Sequence, residues 1–250
     1  MSHYDFSAQR LFVEAALAPG AAFIPPPEAV NYLLNVLRLR EGDAILLFNG
    51  RDGEYLAHLG DVTRRSAKLR VEKRVREQAQ SADLDYCFAP LKQARLDYMA
   101  QKATEMGAGR LVPVITNRTQ VRRVNSARLR ANAIEAAEQC GVLAVPEALD
   151  AIDLSDFLSC FQAERLLVFC DEDAPIANPF KALSGRSGQG VSVLVGPEGG
   201  FDEKERASIL RVSNVARISL GPRVLRADTA AVAALTTVQA AIGDWDGDSR

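Results

Sequence analysis

Three short stretches hold residues whose types and spacing suit chemistry: "LVGPEGGF" (194–201), "SLGPRVLRADTA" (219–230) and "VITNRTQ" (114–120). In the first two, a run of apolar β-formers stops at a glycine, a proline follows, and charged residues and a helical pattern come next. Glycine leaves N–H and C=O groups bare, so a ligand can lie directly against the main chain. Gly-Pro and Gly-Gly are also ordinary turn punctuation, but two such turns after buried strands go beyond punctuation. The charges delivered there are Glu198, Arg223, Arg226 and Asp228, with Arg118 from the third stretch. No Lys-Ser or Lys-Thr follows the glycines, so these are not nucleotide-phosphate loops. The two histidines, His3 and His58, lie away from any Cys/Asp/Glu cluster. Zinc sites, Ser-His-Asp triads and Cys-His pairs therefore lack support, and chemistry must run on carboxylates, arginines, hydroxyls and backbone dipoles.

The elements that must position these loops follow an α/β grammar from residue 78 onward. "DYCFAPL", "RLVPVI", "RLLVFC" and "VSVLVG" read as strands, the last two apolar throughout as in parallel sheets. Between them, "ARLDYMAQKATEM" places Leu96, Met99, Ala103 and Met106 on one helical face and stops at Gly107. "SARLRANAIEAAEQC" is a helix with Ser126 as its N-cap and Gly141 after its end. "DEKERASILRV" has capping-box spacing between Asp202 and Glu205. "VARISLG" is a strand, and an alanine-rich helix closes the domain before a polar tail, "DWDGDSR". In open α/β sheets ligands collect at the carboxyl ends of strands, where all three stretches lie.

Residues 1–77 read differently. "AILLFNGRDGEYLAHLG" is two strands around a turn. "AKLRVEKRV" alternates, with Ala67, Leu69 and Val71 on one side and Lys68, Arg70 and Glu72 on the other. "PPPEAVNYLLNVLRLREGD" reads as a helix opened by prolines and closed at Gly42. Short strands and one helix in this length suggest a small barrel, so domains are expected at 1–77 and 78–250, joined near the polar "EQAQSAD". With 250 residues, 48% of them hydrophobic, the chain has enough interior for such cores. Four cysteines without paired spacing fit reduced thiols rather than a disulfide frame. "MSHYDFSAQR" has no apolar signal core, and no run approaches spanning length. A cytoplasmic protein without metal or membrane is expected.

Formal net charge is −2, yet cations cluster. "DVTRRSAKLRVEKRVR" holds seven Lys/Arg against two acids, and "RTQVRRVNSARLR" five arginines and no acid. Such patches on a near-neutral chain are a footprint for phosphate backbones, or solvated faces that collected charge.

Together, "LVGPEGGF", "SLGPRVLRADTA", "KATEMGAGRLVPVITNRTQ" and "IEAAEQCG", with "QRLFV" and "NYLLNVLRLREGD" near the start, resemble the RsmE family of the SPOUT superfamily across nearly the whole chain. These are enzymes that methylate N3 of a uridine in 16S ribosomal RNA. The resemblance implies a PUA-like RNA-binding β-barrel ahead of a trefoil-knotted α/β methyltransferase domain, an exception to unknotted topology. It implies S-adenosylmethionine as cofactor, a homodimer, and 16S rRNA within the 30S subunit as partner. Carried onto this chain, the cofactor cradle is Val195, Gly196, Pro197, Glu198, Gly199 and Gly200, with Ser219, Leu220, Gly221 and Leu225. RNA contacts are expected from Arg10, Arg38, Arg64, Arg65, Arg122, Arg123 and Arg223.

Uridine N3 carries a proton, so transfer needs a base, or stabilisation of the anion on O2/O4 while water takes the proton. Arg226 and Arg223 can stabilise the developing oxyanion, and Arg118 can hold the target base or phosphate. Asp228 is a possible base, or simply a helix cap. Glu198 either offsets the cofactor's charge, orients an arginine, or serves a helix dipole. The chain departs from the family at Val142, where arginine is usual, at Asp228, where glutamate is common, and near Asn31-Tyr32, where histidine is frequent. Alternatives are a ribose 2′-O-methyltransferase of the same superfamily, a non-catalytic RNA-binding module, and another phosphate-binding α/β enzyme.

Overall fold

A computed structural model describes residues 8–175 and 178–245; His3, most of the signal-poor start and the last five residues of the polar tail lie outside them. By internal contacts the chain forms two compact units, Met1–Gln80 with Ala137–Ala144, and Ser81–Ala136 with Val145–Arg250.

The first unit contains β1 (Arg10–Phe12), β2 (Ala22–Phe23), α1 (Pro27–Asn31), β3 (Ala44–Phe48), β4 (Glu54–Gly60) and β5 (Lys68–Arg76). The strands lie in the order β1-β3-β4-β5-β2 and curl into a half-barrel around Leu11, Leu33, Ile45, Leu47, Ala57 and Leu69. The alternation in β5 is as expected: Ala67, Leu69 and Val71 are buried. The predicted hairpin forms, with Gly50 and Gly53 left-handed at φ +79° and +95°.

The helix is shorter than its pattern. After α1 the chain makes one π-helical turn, Tyr32–Val36, and Arg38 takes φ +58°. Leu39 then donates to the Leu33 carbonyl at 3.0 Å, which ends the helix ahead of Gly42. Gly42, at φ +89°, instead serves the entry to β3, donating to Leu59 at 2.8 Å.

Arg10 also departs from expectation. It is buried, with Nε 3.2 Å from Glu54 Oε1 and Nη1 donating to the Ala8 carbonyl at 3.0 Å. Glu54 is fully buried and also pairs with Arg76 Nε at 3.1 Å. A carboxylate removed from water needs cations, so Arg10 is part of this interior rather than a surface contact for RNA.

The second unit runs β6 (Leu84–Phe88), α2 (Gln93–Glu105), β7 (Arg110–Ile115), α3 (Ser126–Cys140), β8 (Glu147–Ala148), β9 (Ile152–Asp153), α4 (Leu154–Ser159), β10 (Leu166–Cys170), α5 (Pro179–Leu183), β11 (Val191–Val195), α6 (Glu203–Ile209), β12 (Val215–Ile218) and α7 (Ala227–Ile242). The last four residues of α3 are counted with the first unit. The sheet order is β12-β10-β11-β6-β7-β8, with β9 also on β7, and every pairing is parallel. One face is covered by residues of α2, α3, α5 and α7, among them Met99, Leu129, Leu183 and Leu235. The other is covered from α4 and α6 by Leu154 and Ile209. This is the α/β class read from the sequence.

Two caps illustrate local control. The Asp202–Glu205 capping box forms in full. At α3 the cap is Asn125, whose Oδ1 accepts from Arg128 N at 3.1 Å, one residue before the expected Ser126.

Candidate active site

The carboxyl ends of β10, β11 and β12 converge on a cavity of about 410 Å³, within the usual range for small-molecule sites. After β11 the chain turns back at once: Gly200 N donates to Pro197 O at 2.8 Å, with Gly200 at φ +67°. Gly196 is tight for a different reason. A Cβ there would sit 2.6 Å from Phe201 Cε2, and the Phe201 ring packs edge-on against Phe169 with centroids 5.3 Å apart. After β12, Gly221 turns at φ +102°. All ten residues expected to form the cradle line this cavity: Val195, Gly196, Pro197, Glu198, Gly199, Gly200, Ser219, Leu220, Gly221 and Leu225.

Arg118 joins them from the loop after β7. That loop is held at its start. Thr116 N donates to Thr119 Oγ1 at 2.9 Å, Asn117 N to Glu205 Oε1 at 2.6 Å, and Asn117 Nδ2 to Asp202 Oδ2 at 2.6 Å. So fixed, Arg118 Nη1 donates to the Gly199 carbonyl at 2.5 Å. Arg223 also lines the cavity, whereas Arg226 and Asp228 do not. Arg226 is the exposed N-cap residue of α7, and Asp228 lies in its first turn, accepting from Thr229 N at 2.9 Å.

The structure adds charged groups that the sequence reading missed. Arg95, in the first turn of α2, pairs with Glu198 and has its Nε 3.9 Å from Asp228 Oδ2. Glu198 thus has an arginine partner, and the α6 start has its own capping box. At the end of β10, Asp171 is buried and lines the cavity. Arg217 Nε donates to it at 2.7 Å, and Arg206 Nε and Nη2 at 3.2 and 3.1 Å. Burial alone would raise its pKa, but the two guanidiniums outweigh that and hold the carboxyl below its ordinary range. Arg95 and Asp171 follow the carboxyl ends of β6 and β10, so the same rule that found the other loops had a signal for both.

The RNA methyltransferase domain family matches residues 78–239, and the RNA methyltransferase PUA domain family residues 25–72. The chain belongs to the RNA methyltransferase family. It is 32% identical over 232 residues to the ribosomal RNA small subunit methyltransferase E of Rickettsia conorii, covering 92% of this chain and 94% of that one. The crystal structure of ribosomal RNA small subunit methyltransferase E from Neisseria gonorrhoeae bound to S-adenosyl methionine superposes with a TM-score of 0.86 at 27% identity, over 95% of this chain and 99% of that one. A Legionella pneumophila protein solved with bound SAM gives 0.82 at 28%, over 94% and 98%.

In this methyltransferase the Cys170 thiol at the cavity wall is pushed up to about 12, by desolvation first and then by Asp171. It stays protonated and is no nucleophile. Of the arginines expected to meet RNA, Arg38, Arg64, Arg65, Arg122, Arg123 and Arg223 are exposed. Arg110 and Arg165 are committed elsewhere: both hold Asp85, at 2.6 and 3.0 Å, at the amino ends of the strands. No group of three or more His, Cys, Asp or Glu among the described residues is placed to hold a metal, and no described helix is long and apolar enough to cross a membrane.

Proposed function

We propose that this enzyme transfers the methyl group of S-adenosylmethionine to N3 of a uridine in 16S rRNA, acting in the cytoplasm on the 30S subunit. The observation that carries this reading is the coincidence of the bare-backbone turns at Gly196–Gly200 and Ser219–Gly221 with one cavity of about 410 Å³. The cavity fits the cofactor's chemistry. Gly196 lines the cavity and has no room for a side chain beside the Phe201 ring, so only its main chain can meet a nucleoside. Val195, Leu220, Leu225 and Phe169 supply apolar walls that exclude water.

When bound, S-adenosylmethionine supplies an activated methyl group on a sulfonium. The chain's part is to bind, orient and manage one proton. Arg118, fixed over Gly199, holds the uridine or its phosphate toward the cradle, where proximity supplies much of the acceleration. Arg223 and Arg226, flanking the same loop, stabilise negative charge developing on O2 or O4. The N3 proton leaves to Asp228, whose Oδ2 lies 3.9 Å from Arg95 Nε, or to water.

The two-unit reading at 1–77 and 78–250, the trefoil knot and the homodimer are part of the same proposal. They rest on the SPOUT resemblance, and the knot also on the parallel sheet order β12-β10-β11-β6. Arg38, Arg64, Arg65, Arg122 and Arg123 are proposed as contacts to RNA phosphates, each exposed as that role requires. Val142, the departure that favours a non-catalytic module, lies in the first unit and not among the residues lining the cavity.

The test is transfer of labelled methyl from S-adenosylmethionine to 30S subunits lacking the modification, followed by mass analysis of nucleosides. 3-Methyluridine is expected. A ribose 2′-O-methyl product, or cofactor binding without transfer, would replace this reading with one of the alternatives.

A further inference from the structure

We propose that a second groove in the methyltransferase unit seats an unpaired nucleotide of the RNA next to the one being methylated. The inference rests on the RNA methylation reading above and adds a subsite to it. The groove, about 380 Å³, lies between the loop after β7 and helices α4 and α6.

Its two cations are not engaged by carboxylates. In the same unit Arg95, Arg110, Arg128, Arg165, Arg206 and Arg217 are all engaged by carboxylates. The side chains of Arg122 and Lys204, both in the lining, have no ion pair or hydrogen bond among the described residues and are exposed. Two acids share the lining, Asp153 and Glu205. Glu205 turns both oxygens to backbone N–H groups, of Asn117 at 2.6 Å and Asp202 at 3.0 Å, and makes no ion pair with either cation. Two cations without a carboxylate partner are left to meet a phosphodiester.

The remaining walls suit the rest of a nucleotide. Leu154 and Leu158 give an apolar surface for a base, while the Ser155 and Ser208 hydroxyls can meet base edges or a 2′-hydroxyl, the groups by which single-stranded RNA is read. A second copy of this chain is a poorer occupant, because protein–protein interface centres are depleted in charged side chains. The position is informative as well. Thr116 and Asn117 form one wall of the groove, and Arg118, the next residue, lines the cofactor cavity. A nucleotide in the groove therefore bears on the loop that presents Arg118.

Two variants test this: Arg122→Gln/Lys204→Gln, which removes the free charge, and Ser208→Trp, which fills the groove. The probe is the 30S subunit lacking the modification, with S-adenosylmethionine calorimetry as control. Cofactor affinity should be unchanged in both. The charge variant should bind 30S about tenfold more weakly at 0.15 M salt, and its log–log salt slope should shrink by about 0.7, the value for one phosphate of a single strand. Ser208→Trp should weaken 30S binding with the slope unchanged. Wild-type 30S affinity in either variant overturns the proposal. So does a shift of either variant to monomer in sedimentation, which would make the groove a subunit contact. Failure of the unmutated enzyme to transfer methyl at all would sink the function reading instead, a distinct outcome.

Discussion

Gly196→Ala isolates what the cofactor loop asks of its backbone. Gly196 is not among the left-handed glycines, so alanine meets no conformational penalty there, and any effect is steric. The new Cβ would lie 2.6, 3.0 and 3.2 Å from Phe201 Cε2, Cδ2 and Cζ, where about 3.5–4.0 Å is normal for carbon pairs. One partner must yield by roughly 1 Å, and the ring is backed by Phe169 at 77°. Overpacking of this kind costs about 1–3 kcal/mol. Because Phe201 and Gly196 both line the cavity, most of that cost should fall on cofactor affinity, a loss of about 5- to 150-fold.

Calorimetric titration with S-adenosylmethionine measures it. Phe201→Leu in the same chain should restore most of the loss, a coupling that a double-mutant cycle reads directly. Gly200→Ala is the contrasting control. It has open space around it but φ +67°, so its cost of about 1–2 kcal/mol is conformational and should not respond to Phe201→Leu. If Gly196→Ala binds the cofactor within twofold of wild type, or if Phe201→Leu rescues Gly200→Ala equally, the steric account is wrong.

Four further outcomes are expected. Arg95→Ala should weaken cofactor binding by several-fold through release of the Glu198 loop, with Arg95→Lys partly restoring it; unchanged affinity in Arg95→Ala would remove Arg95 as a positioning residue. Asp171→Asn should cost about 2 kcal/mol in chemical denaturation, less than the 3–5 of a fully enclosed pair, because solvent reaches both arginines. Since the Asp171 pKa is lowered in the folded state, its contribution is present above the ordinary carboxylate range and is lost as pH falls through its folded value. The wild-type stability advantage over Asp171→Asn should accordingly shrink in acid. Asp85→Ala, which strips Arg110, Arg165 and Ser192 of a shared acceptor, should lower the melting temperature without altering cofactor affinity at 25 °C. Asp228→Asn should abolish methyl transfer with cofactor binding intact if Asp228 takes the N3 proton; full activity would leave water as the acceptor.

Features whose causes are local were legible in the order of residues. Apolar runs ending in glycine marked β11 and β12 and the two turns that follow, because strand propensity and left-handed φ are properties of a few consecutive residues. The capping box at Asp202–Glu205 and the inside–outside alternation of Leu69 and Val71 were legible for the same reason. The ten residues expected of the cradle all line one cavity, because turns after strands are visible in a few consecutive residues, whereas the ligand expected there came from the family resemblance and not from spacing.

Only the tertiary structure decided which side chains meet. Arg95 reaches Glu198 across 103 residues, and Arg10 turns inward to Glu54 across 44. A guanidinium that neutralises a buried carboxylate and one that waits for phosphate have the same sequence signature. What separates them is whether folding removes the acid from water, and that depends on sheet register and helix packing, which no short stretch of the chain contains.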